Sequence, residues 1–459
     1  MLDLSPDDTI IAISTPPGRG GLGVVRLSGD RALEIALNFF RPKKSGTAIP
    51  PGKAVLGNLV DPESKRPFDE AYLLDFPAPH TYTRQRVVEI SAHGSPAVLE
   101  EVLRLGTRFG ARLASPGEFT LRAYLGGRID ILQAEAVDDL IRASGSRAAR
   151  LAFGQLDGGL SSRMAGLKDR VMDILAHTEA AIEFPEEHLP VSGREISFLL
   201  KALASELVKL ISSYDAGRSF LEGVSLAIAG RTNVGKSTLF NALLEHERAI
   251  VTPFPGTTRD FLREKIRIRD IDFNLIDMAG LRKPETSAEK EGIRRSRDIA
   301  AKADGVLILL DASRRESAED IALIEEFRER KAILVFNKAD LIPKMDAGKL
   351  SGRFGPRPSL AISALKGTNL GKLKSLIYRT FAPRINENED VIFHMRQKLA
   401  LEEILASVRA AERLLAQGHP EEMLAEEIRT ILPILGRLVG EIRADDVLND
   451  IFSRFCVGK

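Results

Sequence analysis

The chain has 459 residues, 44% of them hydrophobic and 28% charged, a mixture that excludes a disordered polypeptide and leaves room for about three domains at roughly 150 residues each. Its 65 Lys and Arg against 64 Asp and Glu leave a net charge of +1, which gives no support for bulk attraction to nucleic acid and leaves only local basic patches open. A single cysteine, Cys456, excludes an intramolecular disulfide, no apolar run approaches the ~18 residues of a membrane span, and the acidic start is unlike a signal peptide, so a cytoplasmic protein is expected.

Residues 1–121 are rich in Gly and Pro. They carry short β-like runs, Val24–Val25–Arg26–Leu27 and Val87–Val88–Glu89–Ile90, with turn signals such as Pro16–Pro17–Gly18 between them, which predicts an α+β domain. Residues 122–221 turn helical. Leu132, Ala136 and Leu140, then Leu199, Leu203, Leu207 and Ile211, repeat at four-residue spacing, the stripe of ordinary helix packing. The Gly- and charge-bearing stretch Tyr214–Gly223 reads as an entry linker. From 222 to 382 strands and helices alternate, and the apolar runs Val224–Ala229, Gly305–Leu310 and Ala332–Phe336 suit strands of a mostly parallel sheet buried on both faces. Residues 383–459 return to helical periodicity through Leu401, Leu405 and Val408, then Ile431, Leu435, Leu438 and Ile442. Pro433 is expected to kink or restart that last helix. The predicted fold is multidomain: an N-terminal α+β domain, a central all-α domain in two parts, and an α/β domain inserted between those parts.

The inserted domain carries the chemistry. Gly230–Arg231–Thr232–Asn233–Val234–Gly235–Lys236–Ser237 follows a buried strand and precedes a helix expected over Thr238–Leu244, the context of a phosphate-binding loop. Its glycines let backbone N–H groups turn inward around phosphates, and the helix adds its positive N-terminal end. Lys236 is expected to reach the β- and γ-phosphates and the Ser237 hydroxyl to ligate Mg²⁺, with Thr258 of the switch segment Gly256–Asp260 closing on the metal. The run Ile271–Ile276 reads as a strand delivering Asp277 to the Mg²⁺ side, and Gly280 can offer its N–H to the γ-phosphate. Asn337–Lys338–Ala339–Asp340 follows the strand ending at Phe336, at the carboxyl edge of the sheet. Guanine presents N1–H and its 2-amino group side by side, and the Asp340 carboxylate can accept both; adenine has no donor at N1. Ser363–Ala364–Leu365 can supply a backbone N–H to the guanine O6. The combination predicts binding of GTP and GDP and hydrolysis of GTP. The position after Asp-x-x-Gly, where many GTPases hold a water-orienting Gln, is Leu281. The water must be set by another group: an acid among Glu285, Glu289 and Glu291, or charge stabilisation by Arg259 or Arg282.

These motifs, together with Thr15–Pro–Pro–Gly–Arg–Gly–Gly21, Arg26–Leu–Ser–Gly29, Ser115–Pro–Gly–Glu–Phe119, Ala134–Glu135–Ala136 and the ending Phe455–Cys456–Val–Gly–Lys459, are similar along the whole chain to the bacterial tRNA-modification GTPase MnmE (TrmE) family. The resemblance implies a Ras-like G domain and a folate-binding-like, dimerising N-terminal domain. It implies a homodimer whose G domains pair on GTP binding, and an FAD-dependent MnmG-type partner. It implies addition of an aminomethyl-type group to C5 of the wobble uridine of certain tRNAs, with a one-carbon unit from 5-formyl- or 5,10-methylene-tetrahydrofolate. It places a K⁺ site at Asn233, Thr252, Phe254 and Thr257, with Thr252 and Thr257 also at the nucleotide, and makes Glu289 the water-orienting acid. Arg26, Glu89, Arg128 and Lys459 fall on its folate positions, and Cys456 on a residue of the modification chemistry. Met278 stands where Thr is common in the family, and Arg128 where Lys is. A ribosome-assembly GTPase would need an RNA-binding module after the G domain, which the helical tail with its Cys motif disfavours, and a dynamin-like mechanical GTPase would need a membrane-binding or polymerising stalk, for which no amphipathic basic segment stands out.

Overall fold

The structure, a computed structural model, describes residues 8–44, 48–183, 193–245, 263–277, 303–346, 348, 350, 355, 357–384, 390–442, 448, 451–456 and 458. Its described residues fall into two compact units. One is assembled from Met1–Ile141, Ala152–Leu207 and Leu399–Lys459, the other from Arg142–Leu151 and Val208–Lys398.

In the first unit, β1 (Ile10–Ile13), β2 (Gly20–Ser28), β3 (Phe40–Pro42), β4 (Val55–Val60), β5 (Pro67–Phe76), β6 (Val87–Gly94) and β7 (Arg112–Leu113) form one sheet in the order β3-β4-β5-β6-β2-β1-β7. Its pairings are antiparallel except β1 with β7. Burial alternates along β4, as a sheet with one covered face requires. Ile11, Val25, Leu27, Leu59, Leu73 and Ile90 make the core with Ile35 of α1 (Ala32–Leu37) and Val102 and Leu105 of α2 (Pro96–Arg108). In α3 (Glu118–Leu125), Glu118 and Arg122 are buried charges that satisfy each other. Arg112 and Asp8 complete the cluster, the condition under which such burial is tolerated.

The helical part of this unit comprises α4 (Ile131–Arg142), α5 (Ser146–Leu156) from Ala152 onward, α6 (Gly159–Glu183) and α7 (Gly193–Ser212) up to Leu207, with α12 (Met395–Ala416) from Leu399, α13 (Glu421–Arg429) and α14 (Ile431–Val439) following the insertion in the chain. The 25-residue α6 lies against α13 and α14, tied at its rim by Arg429–Glu179 (2.6 Å) and Lys168–Glu441 (2.7 Å). Pro433 restarts the helix rather than kinking it. α14 begins at Ile431, so Pro433 is its third residue, in the first turn where no intrahelical N–H partner is needed. The chain then folds back onto the N-terminal domain. Phe452 and Phe455 are buried with ring centres 5.5 Å apart, Gly117 N donates to Cys456 O (3.4 Å), and Ser14 Oγ donates to Gly458 O (3.2 Å).

In the second unit, β8 (Val224–Gly230), β9 (Arg263–Ile268), β10 (Ile271–Asp277), β11 (Gly305–Asp311), β12 (Ala332–Asn337) and β13 (Ser359–Ala361) are ordered β13-β12-β11-β8-β10-β9, parallel except for the β9–β10 hairpin. Both faces are covered. Leu226, Ile228, Leu307, Leu309 and Val335 face α9 (Lys236–Glu245) and α11 (Leu370–Phe381), and Ala227, Ala229, Ile308, Leu310 and Phe336 pack with Ile324 of α10 (Ala318–Glu326). This two-sided burial is why the strand sequences read as unbroken apolar runs. At the hairpin turn, Tyr378 Oη donates to Asp270 Oδ1 (2.9 Å), Arg269 lies 4.6 Å from the Tyr378 ring, and a Cβ on Gly145 would overlap the Asp270 carbonyl oxygen.

One expectation is corrected here. Tyr214–Glu222 is not a linker but a helix, α8. Tyr214, Gly217 and Phe220 share a buried face, and Gly217 sits so close to the chain that a Cβ would overlap the Ile392 carbonyl oxygen. The charges that suggested a linker lie off that face, with Arg218 bonded to Asp304 (2.7 Å).

Candidate functional site

The parallel sheet sets the nucleotide motifs side by side at the carboxyl ends of β8 and β12, the edge where ligands bind in open α/β sheets. The phosphate loop leaves β8 at Gly230 and enters α9 at Lys236. Two of its residues adopt the left-handed region, Asn233 (φ 64°) and Gly235 (φ 99°). At Gly235 this is also a question of space, because a Cβ would overlap Asn337 Nδ2. Lys236 is buried and donates to Gly230 O and Arg231 O (2.6 Å each), so its ammonium is held across the mouth of the loop. Ser237 and Thr238 are exposed in the first turn of α9.

Asn337, buried at the end of β12, bridges the motifs. Its Nδ2 donates to Val234 O in the phosphate loop (2.8 Å), and its Oδ1 accepts from Ala364 N (2.9 Å). Lys338, also in the left-handed region (φ 65°), donates from Nζ to Asn233 O (2.9 Å) and to Asp311 Oδ2 (2.6 Å). Asp340 is exposed, and a hydrogen bond from the buried Ser363 holds its carboxyl below the usual carboxylate range. Ala339 N donates to Ile362 O (2.9 Å), which fixes this loop against the segment carrying Ser363 and Ala364. Asp311 was not singled out from sequence. Burial opposes its ionisation, but hydrogen bonds from Lys338 and Ser313 outweigh that and hold its carboxyl below the usual range. Its only signal was an acid at the carboxyl end of a buried strand, beside the nucleotide motifs.

In the N-terminal domain, Arg26 and Glu89 are direct cross-strand partners on β2 and β6. Arg26 Nε and Nη2 reach Glu89 Oε1 at 2.8 and 2.7 Å, and the Arg26 guanidinium lies 5.8 Å from the Phe119 ring centre. Arg128 lies 4.8 Å from the Tyr82 ring centre, and Tyr82 Oη is 2.9 Å from Thr120 Oγ1. Of the aromatic members of this cluster, Phe119 stands in the Ser115–Phe119 motif but was given no site role from sequence, and Tyr82 was missed because an isolated ring carries no motif. Cys456 is exposed on the returning tail.

The family model for the MnmE helical domain matches residues 131–456, and that for the GTP-binding protein TrmE N-terminus matches residues 9–128. The tRNA modification GTPase MnmE of Thermoanaerobacter sp. (strain X514) is 41% identical over 98% of this chain and 99% of its own length. Those of Koribacter versatilis (strain Ellin345) and Aquifex aeolicus (strain VF5) are 41% and 38% identical over 99% and 98% of this chain. The chain belongs to the MnmE family.

For an MnmE-family chain, the structure brings Asn337 to Val234 and Lys338 to Asn233 by hydrogen bonds, with Gly235 packed against Asn337, Lys236 bonded within the same loop to Gly230 and Arg231, Ala364 joined to Asn337 and Ser363 to Asp340. It also pairs Arg26 with Glu89. Asp277 is placed by its backbone, beside Ile228 in the β10–β8 ladder. Thr252, Phe254, Thr257, Thr258, Gly280, Glu289 and Lys459 lie outside the described residues, as do Arg259, Leu281, Arg282, Glu285 and Glu291. No helix among the described residues is long and apolar enough to cross a membrane.

Proposed function

We propose that the chain binds and hydrolyses GTP, and that as a cytoplasmic homodimer it uses this cycle to modify the C5 position of the wobble uridine of tRNA with an FAD-dependent MnmG-type partner. The observation that carries the nucleotide reading is Asn337: one buried amide ties the phosphate loop to the loops of Asp340 and Ala364, so phosphate and base seats form one rigid frame. The cradle suits a polyphosphate, since Gly235 lets the loop close against Asn337 and the Lys236 ammonium stands at its mouth. Asp340 selects guanine by accepting from N1–H and the 2-amino group, with O6 toward the backbone of the Ser363–Ala364–Leu365 segment. Ser237 and Thr258 would hold Mg²⁺, with Asp277 on the metal's side. Asn233, Thr252, Thr257 and the carbonyl of Phe254 would hold K⁺ at the paired G domains. The two cations offset negative charge on the phosphates. Glu289 orients the attacking water.

The second seat is assigned to the tetrahydrofolate. Glu89 suits the amino-pyrimidine edge of the pterin, and Arg26, Arg128 and Lys459 suit its carboxylate tail. The support is that a carboxylate and a guanidinium are paired there beside two aromatic rings. Cys456 supplies a thiol to the modification.

The deciding experiment is base preference. Asp340→Asn should weaken GTP binding and favour xanthosine triphosphate, whose C2 oxygen accepts from the amide; an unchanged preference removes the account of specificity. Hydrolysis should be much faster in K⁺ than in Na⁺, and equal rates would reject the Asn233 cation site. Glu289→Ala should slow turnover and leave GTP affinity intact; wild-type turnover would reject that assignment.

A further inference from the structure

The strand β11 is buried throughout and ends in Asp311, whose carboxylate does not face solvent. Its Oδ1 accepts from Ser313 N (3.0 Å) and Ser313 Oγ (2.6 Å), which locks the side chain in one orientation. Its Oδ2 accepts from Lys338 Nζ (2.6 Å), and the same ammonium donates to Asn233 O (2.9 Å). The two residues that meet at this ammonium, Asn233 and Lys338, are both non-glycine residues in the left-handed region, a conformation that persists only where the surroundings hold it. The backbone supports the same junction, because Ala312 N donates to Asn337 O (2.9 Å).

We infer that Asp311 is a positioning residue for the nucleotide site. Through the Lys338 ammonium it fixes the Asn233 peptide, and with it the curvature of the phosphate loop. Asp311 reaches neither base nor phosphate by this route and acts through Lys338 alone. Without the carboxylate the ammonium loses its charged partner, and the Asn233 carbonyl is no longer clamped between β11 and β12. The inference rests on the nucleotide reading above and extends it to a residue outside the sequence motifs.

The test is release of a fluorescent GDP analogue from the full-length protein, for wild type, Asp311→Asn, Lys338→Met and the double variant. Losing one charge-assisted hydrogen bond of this kind should speed release about tenfold or more in Asp311→Asn. The double variant should release no faster than Lys338→Met alone, because the two residues act in series. The Asp340→Asn change of base preference should not appear in Asp311→Asn. Asp311→Glu, which keeps the charge, should restore slow release and serves where the Asn variant fails to fold. Wild-type release from Asp311→Asn, or effects that add in the double variant, would overturn the relay while leaving guanine binding intact. A wild-type protein that holds no guanine nucleotide would overturn both readings.

Discussion

Asn337 directs both ends of its amide at protein backbone, to Val234 O and Ala364 N. Asn337→Ala would remove two buried hydrogen bonds and leave a buried carbonyl and a buried N–H without those partners. At about 1–3 kcal/mol for each group so stranded, the loss should be roughly 2–6 kcal/mol of domain stability, read by denaturant unfolding, together with a large drop in GDP affinity by titration. A variant as stable as wild type would show that the two loops are held together by other means. The segments that Asn337 and Lys338 join could be picked out in the sequence because each is a short spaced motif whose chemistry is constrained. Asp311 was not, since an acid after an apolar strand has no distinguishing spacing and acquires meaning only once Lys338 is seen against it. The pairing of Arg26 with Glu89 was hidden for a related reason. Both were expected at one site, but that they are cross-strand neighbours depends on the register of β2 against β6.

Among the elements, the buried strands were the most legible and α8 the least. Two-sided burial leaves a nearly polar-free run, whereas α8 hides its packed face among Asp215, Arg218 and Glu222 and carries a glycine where the neighbouring chain passes close. Opposing effects meet at Gly217. Alanine is favoured over glycine in a helix by about 1 kcal/mol, but a Cβ here overlaps the backbone oxygen of Ile392, and overpacking costs about 1–3 kcal/mol. Gly217→Ala should therefore lower the melting temperature, and a rise would mean that Val391–Phe393 yields easily. Pro433 makes the converse case. In the first turn of α14 it breaks no hydrogen bond, so Pro433→Ala should shift stability by less than about 1 kcal/mol, against the roughly 3 kcal/mol of a mid-helix proline. The sequence allowed a kink or a restart at this position; the break at Thr430, between the end of α13 and the start of α14, decides for the restart.

At the level of the whole molecule, a full-length resemblance could be read from motifs, and the helical periodicity on both sides of the G domain already pointed to an insertion. What periodicity could not convey is the seam between the tail and the first strands, which joins Ser14 to Gly458 across 444 positions. Phe455 anchors that seam beside Phe452. Phe455→Ala should cost about 3–5 kcal/mol in unfolding measurements, while GTP hydrolysis by the second unit continues. Equal stability would show that the tail rests on the N-terminal domain without support from that ring.

The β9–β10 hairpin has a mechanical corollary. Arg263 and Asp277 emerge at the same end of its ladder, where Ile276 stands opposite Arg263, so the segments bearing Thr258 and Gly280 are tethered to one rod. The opposite tip, Asp270, is wedged against Gly145, one residue before α5 begins, and latched by the Tyr378 hydroxyl. Paired strands slide only by breaking their ladder or turning every side chain over, so the rod can tilt but hardly stretch. A displacement at the tethered end therefore reaches the Asp270 tip undamped, and the chain it meets there is Gly145, between α4 and α5.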